Sequence, residues 1–339
     1  MTNEGGTVFQ KLPVSDYDAL LAEVTAQGLF KRTYWHYAIT EGVAVAGMAA
    51  CLYAVTLTDS ALFQVANAVF FTFFSVQAGI VGHDLSHGEV LESPTANRFW
   101  AMMVICLLAG LSESRWFLEH NTHHENPNHM GHDPSLDIPF VFSETQASER
   151  SPFAKRWILP YQHVLFWPAL AFVYPYNIIY GMRFILSDIS VRSLTELVLM
   201  TAHFAIVIGF PLYFLPLPIA LLFLGTVFFT TGAYMGMVFA PNHKGEGILG
   251  EHEEFNWSHQ ITLTRDLYPS WPVFYFLGGL NFQIEHHLFP TMSRLQYWKA
   301  HTIVKDFCKK RGMRYHQTTW VGSMKEIHQS LKEEAQRWP

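Results

Sequence analysis

The sequence predicts an all-α integral-membrane protein: four transmembrane helices in two hairpins, further helices at the interface, and a histidine-rich cap on the cytoplasmic side. Three observations predict it. Half of the 339 residues are hydrophobic and only 15% are charged, against about 25% in an ordinary soluble domain. Four apolar stretches reach the roughly 20 residues that a spanning helix needs. Eighteen histidines include three tight clusters, each close to an apolar segment.

The first 32 residues are polar and acidic, with no basic stretch leading into an apolar run. No cleaved signal peptide is expected, so insertion falls to the first internal apolar segment. Spans are expected at about 34–57 and 61–82, joined around Thr58–Ser60, and at about 194–213 and 216–240, joined around Phe214–Leu215. Links this short make each pair a hairpin. Segments 97–111, 157–180 and 271–280 are shorter or broken by Pro, Arg and His, and read as interfacial or re-entrant helices. Residues 1–32 then form a cytoplasmic N-terminal segment, 33–310 the main domain and 311–339 a cytoplasmic tail. In that tail, 322–339 alternates acids and bases at helical spacing, as a solvated amphipathic helix without a catalytic role would.

Charge placement supports the layout. All 22 Lys and Arg lie in 1–32, 83–192 or 241–339, and none in either hairpin. The positive-inside rule places those three regions in the cytoplasm. A net charge of −6, with no basic patch interleaved with aromatics, argues against a nucleic-acid partner. Cys51, Cys106 and Cys308 form no paired motif, which fits a reducing compartment. His36, Glu41, Glu196 and His203 interrupt the apolar stretches and are expected near helix ends or in satisfied interior contacts.

The clusters are His83-Asp84-Leu85-Ser86-His87, His120-Asn121-Thr122-His123-His124 and Gln283-Ile284-Glu285-His286-His287. Spacings of three and four put the rings of each cluster on one helix face. All three fall on the cytoplasmic side, so helices leaving one membrane face can converge their imidazoles. Seven histidines exceed the needs of one catalytic zinc, which takes three protein ligands and water; they suit two metals. Imidazole serves iron, copper or zinc, so ligand type leaves the metal open. No HExxH motif is present, and the Glu-x-x-His pairs of soluble di-iron bundles are not apparent.

These motifs resemble the membrane fatty acid desaturase family. HDLSH is similar to its HDxxH box, HNTHH to its HxxHH box and QIEHH to its third box. The stretch HHENPNHMGHDPSLD resembles the segment after the second box. NWSHQITLTRDL and GGLNFQIEHHLFPTM are similar to front-end desaturases and their sphingolipid relatives, which carry Gln where Gln283 stands. The likeness covers roughly 30–310. It implies two non-haem iron ions held by His83, His87, His120, His123, His124, His286 and His287, with His243 in the place of a further ligand after the last span. Gln283 is a candidate ligand, direct or through water. The family's Asn one turn before His243 is Phe239 here, a departure in the outer coordination shell.

The resemblance implies oxygen-dependent desaturation of a fatty acyl chain carried by CoA, a carrier protein or a lipid. No HPGG haem motif is present and about 30 residues precede the first span, which implies an external donor such as a ferredoxin or a cytochrome with its reductase. That arrangement is similar to bacterial and cyanobacterial-type enzymes, implying an inner-membrane protein with its site and both termini cytoplasmic. Asp84, Glu285, Asp133, Asp137 and Asn242 lie beside ligands and are candidates to orient them. Arg115, Trp257 and Gln260 are candidates to contact a headgroup or redox partner. Phe71, Phe74, Phe228 and Tyr234 are candidates for an acyl channel, bundle packing being the competing role. A hydroxylase, ketolase or acetylenase of the same superfamily is the nearest alternative, and Gln283 with LNFQIEHHLFP favours desaturation. A metal transporter is more distant, because transport sites lie near the midplane and these clusters lie outside the spans.

Overall fold

The computed structural model describes residues 11–337. Its helices run, in order, α1 (Val14–Ala26), α2 (Tyr34–Val55), α3 (Ala61–Ser86), α4 (Pro94–Met102) and α5 (Glu113–Glu125). Three short ones follow, α6 (Glu144–Ser148), α7 (Pro152–Trp157) and α8 (Gln162–Ala169), and then the longer α9 (Val173–Ser187). Next come α10 (Val191–Val207), α11 (Gly209–Phe214), α12 (Leu217–His243) and α13 (His259–Thr262). The chain ends through α14 (Trp271–Phe276), α15 (Gln283–Leu288), α16 (Tyr297–Lys310) and α17 (Trp320–Arg337). Two-residue strands β1 (Asp266–Leu267) and β2 (Gln317–Thr318) pair in parallel.

Two compact units divide the chain. Among the described residues, one, the bundle unit, comprises 32–118 and 167–238; the other, the histidine unit, comprises 11–31, 119–166 and 239–337. The division cuts across the sequential domains that the sequence suggests, and residues 311–337 belong to the histidine unit.

Among the described residues, five helical stretches are long and apolar enough to cross a membrane: 34–55, 61–86, 152–187, 191–214 and 217–243. Four were expected; 152–187 is the addition. Its composition passes, but the backbone tightens into single 3₁₀ turns at Leu159–Tyr161 and Leu170–Phe172, where Pro160 and Pro168 remove helical donors. A sixth, α4 with α5, is bent by 115°.

In the bundle unit, α3 is central. Its apolar window is 61% buried, against 22–33% for the other stretches. Polar side chains close the first hairpin. Gln64 donates to the carbonyls of Ala54, Val55 and Thr58, and Asn67 donates to that of Cys51. These are C-terminal carbonyls of α2 and its turn, which lipid could not satisfy.

The break between α4 and α5 is handled in the same way. After α4 the backbone makes a π turn, Met103–Leu108, and Gly110 adopts φ +68°. His203 of α10 donates from Nδ1 to the Leu107 carbonyl at 2.9 Å, and Tyr174 of α9 to the Ala109 carbonyl at 2.9 Å. Glu196 accepts from Ser112 Oγ at 2.8 Å and from the Ser114 N–H at 3.1 Å, at the start of α5. A carboxylate suits a helix N-terminus, where N–H groups lack partners. His203 and Glu196 thus sit in the satisfied interior contacts expected of them, and they fix where α5 begins.

The histidine unit has its own core. Leu20 and Val24 of α1, Ile284 and Leu288 of α15, and Val304 and Phe307 of α16 pack together with Phe282 and Phe289. Arg265 is completely buried: it donates to the Pro241 and Lys244 carbonyls at the end of α12 and pairs with Glu246 and Glu326. The Pro241 carbonyl also accepts from Ser323 Oγ of α17. The C-terminal helix therefore packs against the segment that carries His243.

Close helix packing in the bundle gives a test. A Cβ on Gly232 would lie 2.2 Å from the Ala171 carbonyl oxygen, whereas one on Gly225 would meet nothing within 4 Å. Gly232→Ala is expected to destabilise the protein by about 1–3 kcal/mol, and Gly225→Ala to leave it unchanged. Thermal unfolding in detergent micelles measures both.

Candidate metal centre

Three helices bring box histidines to the histidine unit: α5 supplies His120, His123 and His124, the end of α12 supplies His243, and α15 supplies His286 and His287. Consecutive residues on a helix point about 100° apart, so each HH doublet splays its two rings. One group contains His123, His243 and His287; another contains His120, His124 and His286, with nitrogen atoms within 4.8 Å of one another in each. Each doublet sends one ring to each group. The groups adjoin, because the His124 and His287 rings stack with centroids 4.2 Å apart.

In the first group, His123 Nε2 lies 3.3 Å and His287 Nε2 3.1 Å from His243 Nε2. The outer nitrogens decide what those contacts mean. His123 Nδ1 faces the Asp133 carboxylate at 3.0 Å, so it carries the proton. His287 Nδ1 faces Gln260 Oε1 at 2.8 Å. The Gln260 amide cannot turn around, since its nitrogen donates to the His124 carbonyl at 2.6 Å. Both rings therefore aim Nε2 lone pairs at a third imidazole nitrogen. One proton can satisfy only one such contact. A cation among the three satisfies all of them, and neutral imidazole is a transition-metal ligand. The donor set fits a metal.

The second group has the same character. His120 Nε2 and His124 Nε2 are 3.1 Å apart, and the His124 and His286 rings have centroids 4.6 Å apart. His286 Nδ1 lies 3.0 Å from the hydroxyl of Tyr297, the first residue of α16. Within the bundle unit, His83 and His87 lie at the end of α3 with ring centroids 4.7 Å apart, and His83 Nδ1 contacts Asp84 at 2.9 Å.

The orienting residues divide clearly. Asp133 contacts His123, and Asp84 contacts His83. Burial alone pushes the Asp133 carboxyl up, yet the His123 ring, Lys244 and the Ser135 N–H together hold it well below the usual carboxylate range. Asp137 is exposed and is not brought to a histidine, because the 3₁₀ turn Pro134–Leu136 swings it outward. Glu285 does not orient an imidazole of the boxes; it points into a separate cluster described below. Asn242 donates to the Leu280 carbonyl and to Gln283 Oε1, both at 3.0 Å. The carbonyl accepts only, which fixes the Asn242 amide and, through it, that of Gln283. Gln283 thus presents its NH₂ group, not its oxygen, to His243 Nε2 at 3.0 Å. In this arrangement the Gln283 amide lies beside His243 Nε2.

The proposed contact residues also resolve. Gln260 holds His287 in place. Trp257 donates from Nε1 to the Leu12 and Pro13 carbonyls and packs on Tyr17, which makes it an internal strut. Arg115 bonds Asn177 at 2.9 Å and lies over the Tyr176 and Tyr180 rings. Phe71, Phe74, Phe228 and Tyr234 pack against Phe223, the Gly47 backbone, Tyr174 and Phe73 respectively; these contacts are bundle packing.

Three features escaped the sequence reading. Asn128, at φ +52°, directs its amide to the His243 and Gly247 carbonyls and its N–H to Asp133. Its signal was the Pro127-Asn128 turn, since Asn tolerates the left-handed region. Tyr297 had no local signal. Neither had Asp266, His301 and Tyr315, the partners of Glu285. There Asp266 accepts from the Ile284 N–H at 2.9 Å, and the Tyr315 hydroxyl lies 2.5 Å from Asp266 and 2.9 Å from Glu285. Burial and then Asp266 push the Glu285 carboxyl up to about 8. Burial lowers the His301 imidazole, but Asp266 and Glu285 outweigh it and raise the ring to about 9.

Comparison with known proteins agrees with this geometry. The family model described as fatty acid desaturase matches residues 60–319. The chain is 28% identical to an acyl-lipid (9-3)-desaturase of Physcomitrium patens, over 95% of this chain and 63% of that one. It is 27% identical to delta(8)-fatty-acid desaturase 2 of Arabidopsis thaliana, over 90% and 71%. Fatty acid desaturase 3 of Bos taurus is 30% identical, over 77% and 59%. The chain thus spans about three fifths to seven tenths of the length of these relatives.

Two outcomes follow from the site. Asp133→Asn is expected to weaken transition-metal binding by about 10- to 100-fold, as loss of an orienting carboxylate does, measured by competition with a chelator. His301 is raised from 6.5 to about 9 in the fold. Its stabilisation is therefore complete below pH 6.5 and is lost as pH rises through 9. The unfolding temperature should fall across that interval, and less so in His301→Gln.

Proposed function

The chain belongs to the fatty acid desaturase family, and on that premise we propose that it introduces a cis double bond into a fatty acyl chain, in the front-end manner, at two non-haem irons. The carrying observation is the pair of adjoining imidazole groups fed by splayed HH doublets, whose outer nitrogens are held by Asp133, Gln260 and Tyr297. His123, His243 and His287 are assigned to one iron, and His120, His124 and His286 to the other, with His83 and His87 completing the eight. The names of the moss and plant relatives support an acyl-lipid or fatty acyl substrate.

Alkyl C–H bonds are effectively non-acidic, so no side-chain base removes these hydrogens; bound iron with dioxygen supplies the oxidising power. The residues of the chain do the rest. Asp133 and Gln260 keep His123 and His287 in the tautomer that turns Nε2 inward. Asn242 and Asn128 fix the end of α12 on which His243 sits. Overall, one dioxygen, two electrons and two protons take two hydrogens from the acyl chain and leave two waters. An external one-electron carrier supplies the electrons. The distribution of Lys and Arg supports a cytoplasmic position for the histidines.

Expression in a host lacking polyunsaturated lipids, with mass spectrometry of its fatty acids, tests the reading. A product lighter by two hydrogens is expected; a product heavier by one oxygen would instead make the enzyme a hydroxylase. Replacing any one of the eight histidines by Ala should abolish the product and lower bound iron in the purified protein.

A further inference from the structure

The helix α15 carries two candidate ligands on only six residues, less than two turns. A helix that short has no fixed orientation of its own, since its stability comes from what it packs against. Its two histidines serve different groups: His286 belongs with His120 and His124, and His287 with His123 and His243. A rotation of α15 about its axis would therefore misplace one ring in each group at once. Tyr297 and Gln260 touch the outer nitrogens of these rings, which fixes the imidazoles but not the backbone that bears them.

A distant carboxylate fixes that backbone. A helix start is ordinarily capped by the side chain just before it, which accepts from an N–H of the first turn. Phe282 stands in that place and offers no acceptor. The Ile284 N–H is met instead by Asp266 Oδ1 at 2.9 Å, from a residue 18 positions earlier, and a carboxylate suits the positive end of a helix. Asp266 is completely buried, and its backbone is held on both sides. Its N–H donates to the His316 carbonyl at 3.0 Å, and the Leu267 N–H to the Asn281 carbonyl at 2.9 Å. Its second oxygen receives the Tyr315 hydroxyl at 2.5 Å and lies 3.2 Å from His301 Nδ1. The same hydroxyl lies 2.9 Å from Glu285, the residue before His286. Asp266, Glu285 and His301 come close enough to share an ion, but a carboxylate only accepts, so His301 uses Nδ1 as a donor. The set is a hydrogen-bonded node and not a further metal site.

We propose that Asp266 is a positioning residue for the metal centre: through the Ile284 N–H it sets the rotation of α15, and so the places of His286 and His287 together. The inference rests on the two-iron reading above. Asp133 makes the contrast, because it orients the single ring of His123. Loss of Asp133 reaches one metal, whereas loss of Asp266 reaches both. D266N separates holding from charge. It keeps a carbonyl oxygen for the Ile284 N–H and removes the negative charge beside His301.

The test loads the whole chain with iron in detergent micelles. Mössbauer spectra report the surroundings of the two irons, and competition with a chelator reports their retention. D266A is expected to change both iron signals and to weaken retention of both by about 10-fold or more, the scale of losing an orienting partner. D133N should change one signal. D266N should restore the parent spectrum and retention while unfolding at a lower temperature. Gly232→Ala, destabilising in the bundle unit, should leave both signals as in the parent, which separates positioning from a general loss of stability. If D266A does not fold, Y315F deletes only the hydroxyl shared by Asp266 and Glu285 and is expected to shift both signals. Parent-like spectra in a folded D266A, or in Y315F where D266A does not fold, would overturn the proposal. So would a change confined to one iron, or equal damage in D266N or Gly232→Ala. A parent enzyme that binds no pair of irons would refute the two-iron reading itself, and the proposal with it.

Discussion

The structure depends on one constraint: imidazole lone pairs are aimed at a common point. Two such nitrogens 3.1–3.3 Å from a third repel or compete for a proton unless a cation joins them. Nothing about a single histidine enforces that orientation. It is imposed from outside, by Asp133 behind His123 and by Gln260 behind His287. These holders are held in turn, Asp133 by the Ser135 and Asn128 N–H groups and Gln260 by the His124 carbonyl. A polar cluster this buried is costly when partly satisfied and rigid when complete.

The same accounting explains the apolar part of the molecule. The bend of 115° between α4 and α5 frees carbonyls and N–H groups among apolar side chains. His203, Tyr174 and Glu196 meet those groups one by one. The residues that interrupt the apolar pattern of α9 and α10 are therefore part of how the start of α5 is positioned. Their polarity serves the backbone of another segment.

Much of this was legible in the sequence. Helical spacing in HDLSH, HNTHH and QIEHH located the ligand faces, and apolar length found α2, α3, α10 and α12. What could not be read was anything set by distant pairing. Gln260 was taken for a contact residue because its partners, His124 and His287, are 136 and 27 positions away. Asp137 was grouped with Asp133 by proximity, but a single 3₁₀ turn separates their fates. Gln283 matched a ligand position, and only the amide chain running through Asn242 to the Leu280 carbonyl shows which end faces His243. The stretch 152–187 was read as broken by Pro, Arg and His, and 3₁₀ turns do interrupt it, although its length and composition would also suit a span.

The histidine unit is assembled from three separated pieces of chain, 11–31, 119–166 and 239–337 among the described residues. Its first helix, α1, packs on α15 and α16, and Asp16 pairs with Arg311. During synthesis the earliest piece must therefore wait for nearly the last before its core can close, a long-range dependence of the kind that slows folding. A nascent chain halted before residue 290 would have all eight histidines yet lack the scaffold that aligns them. The alignment of these rings is thus completed only when translation is almost over.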